Sequence, residues 1–273
     1  MRQFHSSVCI GILVFASATR VCSAEPTTDT HGFRVHAIES EYQKGATHIR
    51  VLPPDRIDNS RRYPVIYVLP VEAKDENRYG NGLLEVKKLD LHNKHQAIFV
   101  APTFSHLPWY ADHPTDKTIR QESYFVKVVV PFVEKHYPAM AEPKGRLLLG
   151  FSKSGWGAWT MLMRHPELFG KAAAFDAPMM MDKHDRFGAG PIFGTPENWE
   201  GYRIGKLLER NGDEIGKVKR LILLGVGNFK ADHEKIHLLM EGKKMPHVYT
   251  DGPVRKHDWH SGWVTEGVED LLK

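Results

Sequence analysis

Apolar residues in this chain fall into short continuous runs, and between those runs lie longer stretches with a helical rhythm. The runs PVIYVL at 64–69, QAIFVA at 96–101, LLLGF at 147–151 and RLILLG at 220–225 are apolar at consecutive positions. That is the pattern of strands covered on both faces. Residues 33–38 and 47–52, joined across Gly45, predict an antiparallel hairpin, and 171–175 and 247–250 complete the set of strands. Helices are predicted over 122–136 in spite of Pro131, over 156–164 up to Pro166, over 232–241 and over 261–272. Strands alternating with helices imply an α/β class, with a mostly parallel central sheet and helices on both faces. Residues 182–205, rich in Gly, Pro and aromatics, break the alternation and read as an insertion over the site, a lid.

The first 24 residues stand apart. Arg2 gives a basic start, 8–18 is a short apolar run, and Cys22-Ser23-Ala24 offers small residues for cleavage before Glu25. This is the pattern of a secretory signal peptide, too short to span a bilayer. The expectation is one domain over 25–273, secreted or periplasmic, with no stable membrane anchor. Both cysteines, Cys9 and Cys22, lie in the leader, so no disulfide is available and stability must come from an ordinary core. Lys and Arg total 37 and Asp and Glu 33; with Arg2 and Arg20 set aside the net charge is +2. Such a balance gives no support to nucleic-acid or polybasic membrane binding.

Candidate chemistry enters at Gly150-Phe151-Ser152-Lys153-Ser154-Gly155. Here an apolar strand runs into a serine flanked by small residues and then into a helix. A serine held on a strained strand-to-helix turn needs small residues two before and two after it. Gly150 and Ser154 satisfy this for Ser152. For Ser154 as nucleophile the flanks would be Ser152 and Trp156, and the indole would crowd the turn. Ser152 is therefore the expected nucleophile.

A serine hydroxyl needs a histidine to take its proton and a carboxylate to orient that histidine. With the order Ser, acid, His, the acid is expected after the strand at 220–225 and the histidine after the last strand. Asp232 and His257 occupy those places. Asp176, which ends the strand at 171–175, is the alternative acid one strand earlier, and His260 the alternative base. Without chemistry, Asp232 would be a helix N-cap and His257 a solvated loop residue.

As a whole the chain resembles the α/β-hydrolase family that includes feruloyl and acetyl xylan esterases, S-formylglutathione hydrolases and mycolyltransferases. The resemblance spans nearly all of 31–273 and rests on Val51-Leu52-Pro53-Pro54, on 63–69, on the Ser152 turn, and on His257-Asp258-Trp259 followed by Trp263. It implies an α/β-hydrolase fold and a Ser152, Asp232, His257 triad acting on a small-molecule or carbohydrate ester, with no cofactor. Family members carry His-Gly after the strand matching 64–69, where this chain reads Leu69-Pro70-Val71-Glu72. Proline has no amide hydrogen, so the resemblance implies oxyanion donors at the Lys153 backbone N–H and at that of Val71 or Glu72. Trp109 and Tyr110 are candidates for an aromatic substrate wall.

Two other readings compete. His233-Glu234-Lys235-Ile236-His237 spells H-E-x-x-H, a zinc-peptidase pattern on a helix, but no third ligand stands out and the segment falls where a surface helix is needed. A non-catalytic binding protein on the same fold is the other, because fold alone does not establish chemistry. Acyl and alcohol specificity and oligomeric state are not legible.

Overall fold

The computed structural model describes residues 25–225 and 227–273. The leader expected at 1–24 lies outside the described residues. Among the described residues nine strands form one sheet in the order β1-β2-β3-β5-β4-β6-β7-β8-β9. These are β1 (Thr27–Thr28), β2 (Arg34–Ile38), β3 (Thr47–Leu52), β4 (Val65–Val68), β5 (Ile98–Pro102), β6 (Arg146–Phe151), β7 (Lys171–Phe175), β8 (Leu221–Leu224) and β9 (Val248–Tyr249). The predicted hairpin is β2 and β3, paired antiparallel from Arg34 opposite Val51 to Ile38 opposite Thr47. β3 joins β5 antiparallel, and every pairing from β5 through β4, β6, β7 and β8 to β9 is parallel. The mostly parallel α/β sheet expected from the pattern, and the α/β-hydrolase fold implied by the resemblance, are what is observed.

Strand side chains alternate between faces, so the sheet separates two cores. Val65, Tyr67 and Leu148 enter one; Ile66, Val68, Leu147 and Leu149 enter the other. Helices α1 (Gly82–Lys88), α2 (Leu91–Lys94), α3 (Gln121–Tyr124), α4 (Val130–His136) and α5 (Lys153–Arg164) are followed by α6 (Gly190–Phe193), α7 (Pro196–Glu200) and α8 (Ile204–Ile215), then α9 (Lys230–Gly242) and α10 (Val264–Leu272). α10 buries Val264, Val268 and Leu271 against β6, β7 and β8, each worth about 1.5–3 kcal/mol of apolar transfer.

Three departures from the sequence reading have physical causes. The predicted 122–136 helix is continuous, but Phe125–Val129 forms a π turn immediately before α4. Pro131 cannot donate to the turn before it, and the wider turn carries the helix past that missing bond. The segment 182–205 is not loose: α6 and α7 bury Ile192, Phe193 and Trp199, and α8, absent from the sequence reading, follows directly. α1 and α2 also went unforeseen, their apolar faces being only one or two turns long.

Candidate active site

The turn after β6 is built from close approaches. Ser152 has φ +54° and ψ −127°, between the end of β6 and the first residue of α5. A side chain at Gly150 would place its Cβ 2.1 Å from the Ser154 carbonyl oxygen, so only glycine lets strand and helix meet there. Ser154 is fully buried; its hydroxyl donates to the Phe151 carbonyl (2.9 Å) and accepts from the Phe151 N–H (3.0 Å). It therefore locks the turn and leaves Ser152 as the hydroxyl facing outward.

His257, on the loop after β9, reaches that hydroxyl. Its Nε2 lies 3.0 Å from Ser152 Oγ and its Nδ1 lies 2.6 Å from Asp176 Oδ2. The imidazole is packed among Phe151, Tyr79 and Phe229, with ring centroids 4.5, 5.6 and 5.7 Å away. His260 is turned to Glu85, 2.7 Å from its carboxylate, and is not the histidine at Ser152.

The carboxylate on His257 belongs to Asp176, and the expectation of Asp232 is corrected. Asp232 lies in the first turn of α9, where its carboxylate accepts from the Met180 N–H (2.9 Å). Asp176 leaves the end of β7 with φ +41° and a fully buried carboxylate. The loop after β8 supplies amides instead of the acid: the Asn228 and Phe229 N–H groups donate to Asp176 at 3.0 and 2.7 Å. Burial pushes the Asp176 pKa up, but the bonds from His257, Phe229 and Asn228 outweigh it and hold the carboxyl below its ordinary value. A Cβ at Gly227 would lie 2.3 Å from Asp176 Oδ2, so the loop closes on the carboxylate only with glycine there.

The H-E-x-x-H pattern does not converge on a metal. His233 is buried, and its Nε2 accepts from the Ala177 N–H (2.9 Å), which places its proton on Nδ1. Burial, opposed by the Asp176 charge, drives its pKa down to about 4. This neutral histidine braces the residue that follows Asp176. Neither that role nor the Asn228 and Phe229 amides carry a local sequence signal.

Trp109 and Tyr110 are also corrected: both are fully buried and neither lines the cleft. Trp109 packs edge-on against Trp156 (5.5 Å). The Tyr110 hydroxyl donates to the Pro70 carbonyl (2.7 Å), tying down the loop that leads to Val71 and Glu72. The cleft at Ser152 is walled by Tyr79, Leu107, Pro178, Phe187 and Phe229, with Glu72, Arg78 and Lys153 among its polar groups. Glu72 borders this cleft, whereas Val71 lines a separate recess beside Pro70 and Trp259. The Glu72 carboxylate accepts from the Arg78 N–H and pairs with its guanidinium (3.4 Å). Burial lowers the pKa of the Lys153 amine, which the Glu72 charge counters. The Lys153 amide opens α5, where backbone N–H groups have no partner inside the helix and the dipole favours negative charge.

Residues 40–200, more than half of the chain, match the sequence model of the Esterase family. The chain belongs to that family. An esterase of Mycobacterium tuberculosis is 24% identical over 171 residues, covering 56% of this chain and 37% of the relative. The matched region is thus a little over a third of the curated relative's length. Among solved structures, S-formylglutathione hydrolase from Staphylococcus aureus superposes with a TM-score of 0.69 at 14% identity, covering 88% of this chain and 98% of the other. A ferulic acid esterase gives 0.66 at 20% identity, covering 88% and 96%. S-formylglutathione hydrolase from Agrobacterium tumefaciens gives 0.62 at 18%, covering 92% and 98%. These likenesses establish the α/β-hydrolase fold for this member of the family. Among its described residues no helix is long and apolar enough to cross a membrane.

Proposed function

We propose that this esterase is an exported serine hydrolase that cleaves acyl or feruloyl esters, including those on carbohydrates, through Ser152, His257 and Asp176. The supporting observation is one imidazole bridging the Ser152 hydroxyl at 3.0 Å and the Asp176 carboxylate at 2.6 Å. The Nδ1–H of His257 donates to Asp176, so Nε2 is free to accept the serine proton as Oγ attacks the ester carbonyl. The oxyanion then accepts from the Lys153 N–H and, on the side where Glu72 borders the cleft, from the Glu72 N–H; each such donor is worth about 3–4 kcal/mol in the transition state. His257 returns its proton to the departing alkoxide, leaving an acyl-Ser152. Water repeats the sequence with His257 as base and releases the acid.

The feruloyl reading draws its support from the cleft walls. Phe187 and Phe229 meet edge to face at 5.7 Å beside Tyr79 and Leu107, a surface suited to a planar aromatic acyl group. Export rests on the leader pattern at 1–24 and is checked by the N-terminal sequence of the protein recovered outside the cytoplasm. For the chemistry, a fluorophosphonate probe is expected to label Ser152 alone, with labelling and p-nitrophenyl acetate hydrolysis both lost in Ser152→Ala. A labelled residue other than Ser152, or full hydrolysis in Ser152→Ala, would refute the proposal.

A further inference from the structure

α9 carries His233 near its start, and past its end the chain turns back into the edge strand β9. At that far end three potential ligands of two types, two imidazoles and a carboxylate, meet. His237 Nδ1 lies 2.8 Å from His247 Nε2, and Glu241, one helical turn after His237, brings Oε1 to 3.9 Å from the same nitrogen. All three donor atoms lie within 4.8 Å of one another. The His247 side chain is 3% exposed, while that of Glu241 is 63% exposed and free to adjust. His247 Nδ1 lies 2.8 Å from the Met245 carbonyl. A carbonyl only accepts, so His247 carries its proton on Nδ1 and turns the Nε2 lone pair toward His237. The His237 ring is held by stacking on Tyr249, with centroids 4.1 Å apart and planes 16° apart.

We propose that His237, Glu241 and His247 form a binding site for a zinc-like divalent transition-metal ion, which staples α9 to the edge strand β9. A tetrahedral ion with bonds of about 2.0–2.1 Å sets its ligand atoms about 3.3 Å apart. The two distances from His247, 2.8 and 3.9 Å, bracket that separation, and the His237–Glu241 distance, within 4.8 Å, closes through the exposed Glu241 side chain. On binding, the proton that His237 holds on Nδ1 transfers to Nε2, and the metal takes its place between the two imidazoles. Water supplies the fourth ligand. Two imidazoles and one carboxylate suit zinc, nickel or copper; calcium and magnesium call for six or more oxygen ligands.

None of the three residues lines the Ser152 cleft, so the ion's effect is on stability. α9 also bears His233, the brace on Ala177, and β9 leads into the loop of His257. A chain with no cysteine after Cys22 thereby gains a cross-link between α9 and the edge strand that follows it.

The test uses the untagged protein, stripped with EDTA and titrated with zinc by calorimetry and with cobalt by visible absorption. The expected result is one zinc per chain, an intense tetrahedral cobalt spectrum and a raised melting temperature. His237→Ala is expected to abolish all three, and Glu241→Gln to weaken binding by about tenfold or more, with hydrolysis of p-nitrophenyl acetate unchanged in both. Absence of saturable zinc binding to the wild type would overturn the proposal. So would equal affinity in wild type and His237→Ala, since the ion would then sit on other histidines. Should His237→Ala fail to fold, Glu241→Gln at its exposed carboxylate carries the same comparison.

Discussion

The turn after β6 and the loop after β8 both serve His257, yet they are held in different ways. In the first, the constraints that set the serine's neighbours lie within four residues, although the Ser152 N–H also donates to the Phe175 carbonyl of β7 (3.0 Å): Gly150 clears the Ser154 carbonyl, and Ser154 bonds both polar groups of Phe151. In the second, Gly227, Asn228 and Phe229 close on a carboxylate from the end of β7, 52 positions before Asn228. A local device survives changes elsewhere and can be found in one window of sequence. A device assembled across strands depends on both partners and shows no such window.

The contrast is open to attack at several points. Leaving the catalytic groups themselves intact, the largest expected effect is on the distant device. In Gly227→Ala the new methyl must push the loop or the carboxylate aside, since it would lie 2.3 Å from Asp176 Oδ2. A displacement near 1 Å costs about a hundredfold in turnover, so kcat is expected to fall by about tenfold to a hundredfold with KM little changed. Wild-type kcat in that variant would mean the loop does not position the acid.

The second effect lies in stability against pH. In the fold His233 stays neutral down to about pH 4, whereas in the unfolded chain it gains its proton near 6.5. Between those values the unfolded state binds the extra proton. The stabilisation is therefore complete above about pH 6.5 and declines as the pH falls toward 4, by roughly 3 kcal/mol at most. His233→Gln keeps an oxygen for the Ala177 N–H and cannot titrate. Urea midpoints measured at pH 7 and pH 4.5 are expected to differ less in the variant than in the wild type; an equal difference would place the acid sensitivity elsewhere.

The smallest effect belongs to the local device. Ser154→Ala removes both hydroxyl bonds and leaves the buried Phe151 N–H unpaired, at a cost of about 1–3 kcal/mol. A lowered melting temperature with most of kcat retained is expected. Loss of turnover as complete as in Ser152→Ala would point to Ser154 as the nucleophile.

Much of this was legible in the sequence for the same reason of locality. Continuous apolar runs disclosed strands β4 to β8 because burial on both faces constrains each residue independently. Ser152 followed from the sizes of its neighbours, and His257 from its place after the last strand. The acid did not follow, because the choice between Asp176 and Asp232 turns on which side of the β8 loop holds the carboxylate and which the amides. Asp176-Ala177-Pro178 at a strand end was a visible hint, but its φ of +41° was not. Trp109 and Tyr110 misled because an aromatic pair before a helix looks alike whether it faces a cleft or, as here, packs beneath the Ser152 turn. His233 appeared as half of a metal motif, since sequence spacing does not reveal that its ring points inward at Ala177.

The central claim, that Asp176 holds His257 for Ser152, is tested most directly by measuring kcat/KM for Asp176→Asn and Asp232→Asn side by side, with both variants shown to be folded by circular dichroism. An amide in place of the Asp176 carboxylate can neither keep the imidazole in the working tautomer nor stabilise its charged form, so Asp176→Asn is expected to lose about a thousandfold to ten-thousandfold. Asp232→Asn, which alters one exposed bond to the Met180 N–H, is expected to stay within a few-fold of the wild type. The reverse order of damage would contradict the account.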